Sequence, residues 1–102
     1  MATLLVLYRN PTDTAAFDRY YFDTHVPLAR KIPGLRRYEV SDGAIASPQG
    51  AAPYHLVATL GFDSVGAIQQ GLASPEGQAA AADLANFAQA GVELLMFDST
   101  EA

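Results

Sequence analysis

Between Tyr20 and Leu35 the chain reads YYFDTHVPLARKIPGL. His25 is its most versatile group, because an unperturbed imidazole exchanges its proton near neutral pH. Tyr21 lies four residues earlier, on the same face of a helix, where its hydroxyl can bond the imidazole or a ligand carbonyl. Tyr20 is adjacent and points further round. Val26-Pro27 follows at once, and proline lacks the amide hydrogen that a continuing helix would use. Pro27 is therefore expected to kink the helix or to open a second one. At such a start the helix dipole would favour neutral His25, the form suited to a base. An architectural role stands beside this: the ring caps the helix start, with both nitrogens bonded to backbone. Asp18 and Asp23 are expected in solvent, which makes an Asp–His relay from them the weaker reading.

Four further side chains are candidates for lining a ligand site: Tyr8, Tyr38 and His55 on strands, and Phe87 on a helix. Strand alternation sends every second side chain to the same face. The sequence alone does not say which face a cavity occupies. Asp83 and Phe87 are read first as structural, the one capping or salt-bridging and the other in the core. Two histidines thirty residues apart, without cysteine, form no metal-ligand pattern. There is no G-x-G-x-x-G, P-loop or G-x-S-x-G, which sets aside nucleotides and serine nucleophiles.

The elements that must position these groups are legible in the pattern. Thr3 to Arg9 is a short apolar strand closed by Asn10-Pro11. Asp13 or Thr14 caps a helix whose buried face is Phe17, Tyr21, Thr24 and Leu28, ended by Pro33-Gly34. Leu35 to Ala44 alternates as a half-buried strand, and Ala46 to Ala52 reads as a loop. In Tyr54 to Phe62, Tyr54, Leu56, Ala58, Leu60 and Phe62 fall on one face; His55, Val57 and Thr59 fall on the other. Asp63 or Ser64 caps a helix carrying Val65, Ile68 and Leu72. Ser74-Pro75-Glu76 starts another, stopped by Gly91. Val92 to Asp98 is the last strand. The order β-α-β-β-α-β predicts an α+β, ferredoxin-like fold: a four-stranded antiparallel sheet with helices on one face. The bare face is too apolar for water, so a second copy, sheet against sheet, is expected to cover it.

The totals agree. A chain of 102 residues, half of them hydrophobic, makes one domain, residues 1–102, with an adequate core. All six basic residues precede position 38, whereas eleven acids leave a net charge of −5. That balance argues against nucleic acid. The cluster Arg30, Lys31, Arg36 and Arg37 reads as a solvated rim, or as the seat of one anionic group. No apolar run spans a membrane, and the first residues lack the basic start of a signal peptide, which predicts a cytoplasmic location. Cysteine is absent, which excludes disulfides.

With this order of elements, the phrase Tyr20-Tyr21…His25-Val26-Pro27-Leu28…Pro33-Gly34-Leu35 resembles the EthD family of the dimeric α/β-barrel superfamily. Phe62-Asp63-Ser64, Ser74-Pro75-Glu76-Gly77 and Asp83…Asn86-Phe87 extend the resemblance to the last helix. It implies a homodimer and gives His25 its place as the leading catalytic candidate. Superfamily relatives include cofactor-free polyketide cyclases, decarboxylases, lactone isomerases and haem-handling enzymes. A haem on His25 has nothing beyond the lone histidine in its favour, and the chain has no Trp. Two readings are carried forward. In one, His25, helped by Tyr21 or Tyr20, moves a proton on a small apolar carbonyl or phenolic compound, without cofactor or metal, in a cyclisation, decarboxylation or isomerisation. In the other, the dimer is a non-enzymatic accessory that binds an intermediate or serves a partner oxygenase.

Overall fold

The computed structural model describes all 102 residues. Strands β1 (Ala2–Arg9), β2 (Arg37–Val40), β5 (Tyr54–Phe62) and β6 (Val92–Asp98) form one antiparallel sheet in the order β2-β5-β1-β6. Helices α1 (Thr14–Tyr20), α2 (Val26–Ala29), α3 (Val65–Ala73) and α4 (Pro75–Phe87) lie on one side of it. Asp13, Ser64 and Ser74 cap α1, α3 and α4, each accepting from the amide three residues on. The ferredoxin-like α+β order expected from the sequence is the one observed. No helix is long and apolar enough to cross a membrane.

Alternation decides which side chains meet the helices. Ala2, Leu4, Val6 and Tyr8 of β1 are buried beneath them, opposite Phe62, Leu60, Ala58 and Leu56 of β5. Leu5 and Leu7 face the other way, as does Leu95, which pairs with Leu5. On β6, Leu94, Leu95, Met96 and Phe97 are between 41% and 53% exposed, so this apolar strand is covered on neither side.

Four local details differ from the sequence reading. Residues 46–51 are not a plain loop: β3 (Ala46–Ser47) and β4 (Gly50–Ala51) close a small hairpin. Only Arg37–Val40 of the second strand is regular, although Arg36 and Ser41 still donate backbone hydrogen bonds to β5. A bulge at the Tyr8/Arg9 register puts Arg9 opposite Tyr54 and Tyr8 opposite Leu56, with His55 between them. Tyr54 is thereby turned to the open face, bonding Glu93, and His55 to the helix side, against Phe17. This reverses the faces expected for both.

The fourth detail is in the first helix. Tyr21–His25 is a π-helical segment, with the Val26 amide donating to the Tyr21 carbonyl five residues back. One extra residue per turn rotates everything beyond it. The buried face runs through Phe17, Tyr21, His25 and Ala29, in place of the expected Thr24 and Leu28. Pro27 neither kinks nor restarts the helix: the backbone stays helical through His25 and Val26 (φ −73° and −56°).

The elbow between α3 and α4 is close-packed on glycine. A Cβ on Gly77 would run into the Gly71 carbonyl and lie 2.6 Å from the Leu72 Cα, both backbone atoms that cannot turn aside. By contrast, a Cβ on Gly66 meets only Ser64 Oγ, at 3.7 Å. Urea unfolding should therefore show Gly77→Ala losing about 2 kcal/mol, with Gly66→Ala unchanged or gaining up to about 1 kcal/mol. Equal effects at the two sites would mean the elbow is not tightly packed.

Candidate functional site

The site grows from α4. Asp83 is 6% exposed, a carboxylate under the helices. Its Oδ1 accepts from the Tyr20 hydroxyl at 2.6 Å and from Asn86 Nδ2 at 2.9 Å. Its Oδ2 lies 3.0 Å from His25 Nδ1. Burial alone would raise the Asp83 pKa, and that is the largest single influence; the donors from Tyr20, Asn86 and His25 together outweigh it and hold the pKa below the usual value. Asp83 is therefore ionised at neutral pH.

For His25 the balance is the opposite. Burial, the largest influence, lowers its pKa below 6.5, and the Asp83 contact only partly offsets this. At neutral pH the ring is uncharged, so Asp83 is held by hydrogen bonds rather than by an ion pair. A neutral imidazole beside an ionised carboxylate has one sensible tautomer: Nδ1 carries the hydrogen and donates to Asp83. Nε2 is left with its lone pair. It has no protein partner, and no sealed side-chain nitrogen or oxygen in the molecule lacks one, so Nε2 opens onto space. Neither ring nitrogen bonds backbone, which sets aside the capping role. The dipole argument also falls, since the helix does not restart at His25; burial, not a helix end, favours the neutral ring.

His25 lines a cavity of about 50 Å³ between sheet and helices, almost wholly apolar. Beyond aliphatic side chains it is lined by His25, Tyr8, Tyr21 and Tyr38, and it reaches solvent beside the exposed residues Ala81 of α4 and Leu94 of β6. The Tyr21 and Tyr38 hydroxyls share a 2.6 Å hydrogen bond. The Tyr8 hydroxyl sits close enough to influence Tyr21, but without hydrogen-bond geometry between them. Burial, first among the causes, raises all three phenols above 10. They are therefore neutral hydrogen-bond donors and not bases. The arrangement offers one acceptor, His25 Nε2, on a residue that shares a cavity wall with three phenols.

The sequence candidates divide accordingly. His25, Tyr21, Tyr8 and Tyr38 line one cavity. Tyr20 and Phe87 do not: Tyr20 serves Asp83 from behind, and the Phe87 ring packs 4.7 Å from the His25 ring and stacks on Tyr20 at 5.3 Å. His55 is elsewhere, its Nε2 2.7 Å from Asp18 Oδ1. Asp18 is thus engaged rather than free in solvent. Asp83 was read as capping or salt-bridging; the signal for its larger role was a lone acid on the inner face of an alanine-rich helix, one turn before Phe87.

These shifts have a direct readout. Nitrogen NMR should find Nδ1 protonated and Nε2 bare at pH 7, with His25 titrating below 6.5. Asp83→Asn removes the influences that raise the His25 pKa, so the titration should move still lower; an upward move would disprove the ionised carboxylate. Because the folded pKa is the lower one, unfolding takes up a proton between the two values. Stability is full above about 6.5 and falls as pH drops toward the folded pKa. His25→Gln should flatten that decline.

Comparison with known proteins gives a consistent placement. The EthD domain family matches residues 9–91. An uncharacterised 11.0 kDa protein of the thcB–thcC intergenic region of Rhodococcus erythropolis is 42% identical over 100 residues, covering 96% of this chain and 94% of that protein. A crystal structure of an EthD family protein from Bacillus halodurans is 37% identical and superposes with a TM-score of 0.89, covering 98% of this chain and 99% of that one. A dimeric ferredoxin-like protein of unknown function from Thermobifida fusca shares the fold, with a TM-score of 0.68 at 22% identity over 94% of this chain and 88% of that one. The matches span the π-helical segment, the His25 phrase and Asp83 alike, and the chain belongs to the EthD family.

Proposed function

We propose that this chain is a homodimeric, cofactor-free proton-transfer protein acting on a small apolar carbonyl or phenolic compound. The observation that carries this reading is the unengaged Nε2 of a neutral His25, its other nitrogen fixed by Asp83, in an apolar cavity with three protonated phenols. His25 Nε2 takes a proton from carbon or from a phenolic oxygen of the bound molecule. The electron pair released moves onto the carbonyl oxygen, where the Tyr21, Tyr38 or Tyr8 hydroxyl donates a hydrogen bond to the growing charge. Asp83 stabilises the imidazolium that results. Returning the proton to a different atom completes an isomerisation; in a cyclisation the enolate carbon instead bonds to a second carbonyl carbon of the same molecule, whose oxygen takes the electron pair and then the proton from Nε2. Preorganised donors of this kind act strongly because water is largely excluded.

The test is exchange. In deuterium oxide, a panel of small alkyl and aryl ketones should lose α-protons faster with the protein, followed by proton NMR. His25→Ala should lower that rate by roughly 10²- to 10⁴-fold, and Asp83→Asn by a smaller factor. Equal rates for wild type and His25→Ala would sink the catalytic reading. Ligand binding without exchange would favour the accessory reading, in which the dimer holds an intermediate for a partner oxygenase.

The dimer is supported by the uncovered sheet face. Leu5, Leu7 and Val57 are only half buried, and Leu95 and Phe97 are 53% and 43% exposed. A strip of this kind on an otherwise folded chain calls for a partner surface. A second copy offers a matching one around a two-fold axis. Light scattering should give about twice the 10.8 kDa of one chain. Leu95→Asp should reduce it to the single-chain mass without unfolding, since the side chain lies outside the buried core and is 53% exposed within the subunit. A wild-type monomer would rule the dimer out.

A further inference from the structure

Tyr38 stands between two spaces. Its inner side lines the His25 cavity; its outer side lines a second space of about 110 Å³ with Phe22, Val26, Arg30 and Val40. The walls of this outer space are apolar except for Arg30, whose guanidinium carbon lies 5.7 Å from the centre of the Tyr38 ring. Each of the other exposed arginines with a neighbouring acid is paired: Arg9 with Glu93, Arg36 with Asp63 and Arg37 with Glu39. Arg30 and Arg19 make no side-chain hydrogen bond or salt bridge, and of the two only Arg30 lines this outer space.

The volumes matter. The inner cavity, at about 50 Å³, has room for a few waters but not for an aromatic ring. Joined to the outer space, it would approach the roughly 150 Å³ that suffices for benzene. Tyr38 is the partition. It sits on β2, a four-residue edge strand, and is anchored at its tip by the single hydrogen bond to Tyr21. Turning its ring outward would merge the two spaces and bring Arg30 to one end, His25 to the other.

We infer that the ligand of this site is a small organic carboxylate, its ring or chain in the merged cavity and its carboxylate on Arg30, with Tyr38 as the movable partition. This rests on the proposed function for the role of His25, and it adds the charge of the molecule. A planar guanidinium with all its donors free suits a two-oxygen anion, which it can hold through paired hydrogen bonds. The apolar walls given by Phe22, Val26 and Val40 suit an apolar body beside that anion.

Benzoate and benzamide, matched in shape but not in charge, separate these claims. Calorimetric titration of the full-length dimer at about 0.15 M salt should show benzoate bound more tightly than benzamide. Arg30→Gln should weaken benzoate by roughly tenfold to a hundredfold and leave benzamide unchanged. Lys31→Gln, a neighbouring cation that lines neither space, should change neither. Tyr38→Ala should tighten binding of both molecules by removing the partition. An Arg30→Gln variant with unchanged benzoate affinity, an equal loss in Lys31→Gln, or no binding by either wild type or Tyr38→Ala would each overturn the assignment. The two readings fail separately: benzoate binding to His25→Ala should persist, so loss of proton exchange with retained Arg30-dependent binding leaves the carboxylate site standing.

Discussion

A carboxylate held away from water costs several kcal/mol unless donors replace the water it has lost. Asp83 has three, from Tyr20, Asn86 and His25. Asn86 is on its own helix, but Tyr20 and His25 come from the first helical run and stand five residues apart. In a regular α-helix two residues so spaced point about 140° apart and cannot both reach one group. Tyr21–His25 is π-helical, with its bond spanning five residues, and this draws both donors to the same side. The demand of one buried charge and the irregular turn of a helix on another segment therefore explain each other.

That arrangement fixes the chemistry available. With Asp83 ionised, the imidazole hydrogen is committed to Nδ1, and the lone pair at Nε2 is left free on a residue that lines the cavity. With the phenols of Tyr8, Tyr21 and Tyr38 pushed upward by burial, no second base competes for a proton. The aromatic packing behind the histidine serves the same end. Phe87 presses on the His25 ring and on Tyr20, so the two donors are held in place by a side chain outside the His25 cavity.

The order of elements was legible because period-two and period-four apolar patterns are set by local geometry, and because Asp13, Ser64 and Ser74 are strong helix starts. The two errors about buried faces have one kind of cause. An extra residue in the helix moved the buried face from Thr24 and Leu28 to His25 and Ala29; an extra residue in β5 exchanged the faces of Tyr54 and His55. Periodicity cannot show an insertion, since it assumes a constant repeat. Nor could it pair Asp83 with His25, 58 positions apart. Asp83 could be seen as an acid on an inner helical face, but its partner depends on how two helices cross. Tyr8 and Tyr38 were candidates from alternation alone, and became neighbours of Tyr21 only through the register of β1, β5 and β2.

The same insertions bear on whether the histidine is architecture or chemistry. A helix that needed only to fill its buried face could have done so regularly, with Thr24 exchanged for something apolar and no turn widened. The π-helical segment instead turns in a residue with two nitrogens, and the fold engages only one of them. A group serving packing alone gains nothing from an unpaired nitrogen beside an apolar cavity, where an aliphatic side chain would be cheaper to bury. Burial, not the bare Nε2, is what lowers the pKa of the ring, and it keeps that lone pair unprotonated at neutral pH. Single π-helical turns of this kind occur frequently at functional sites.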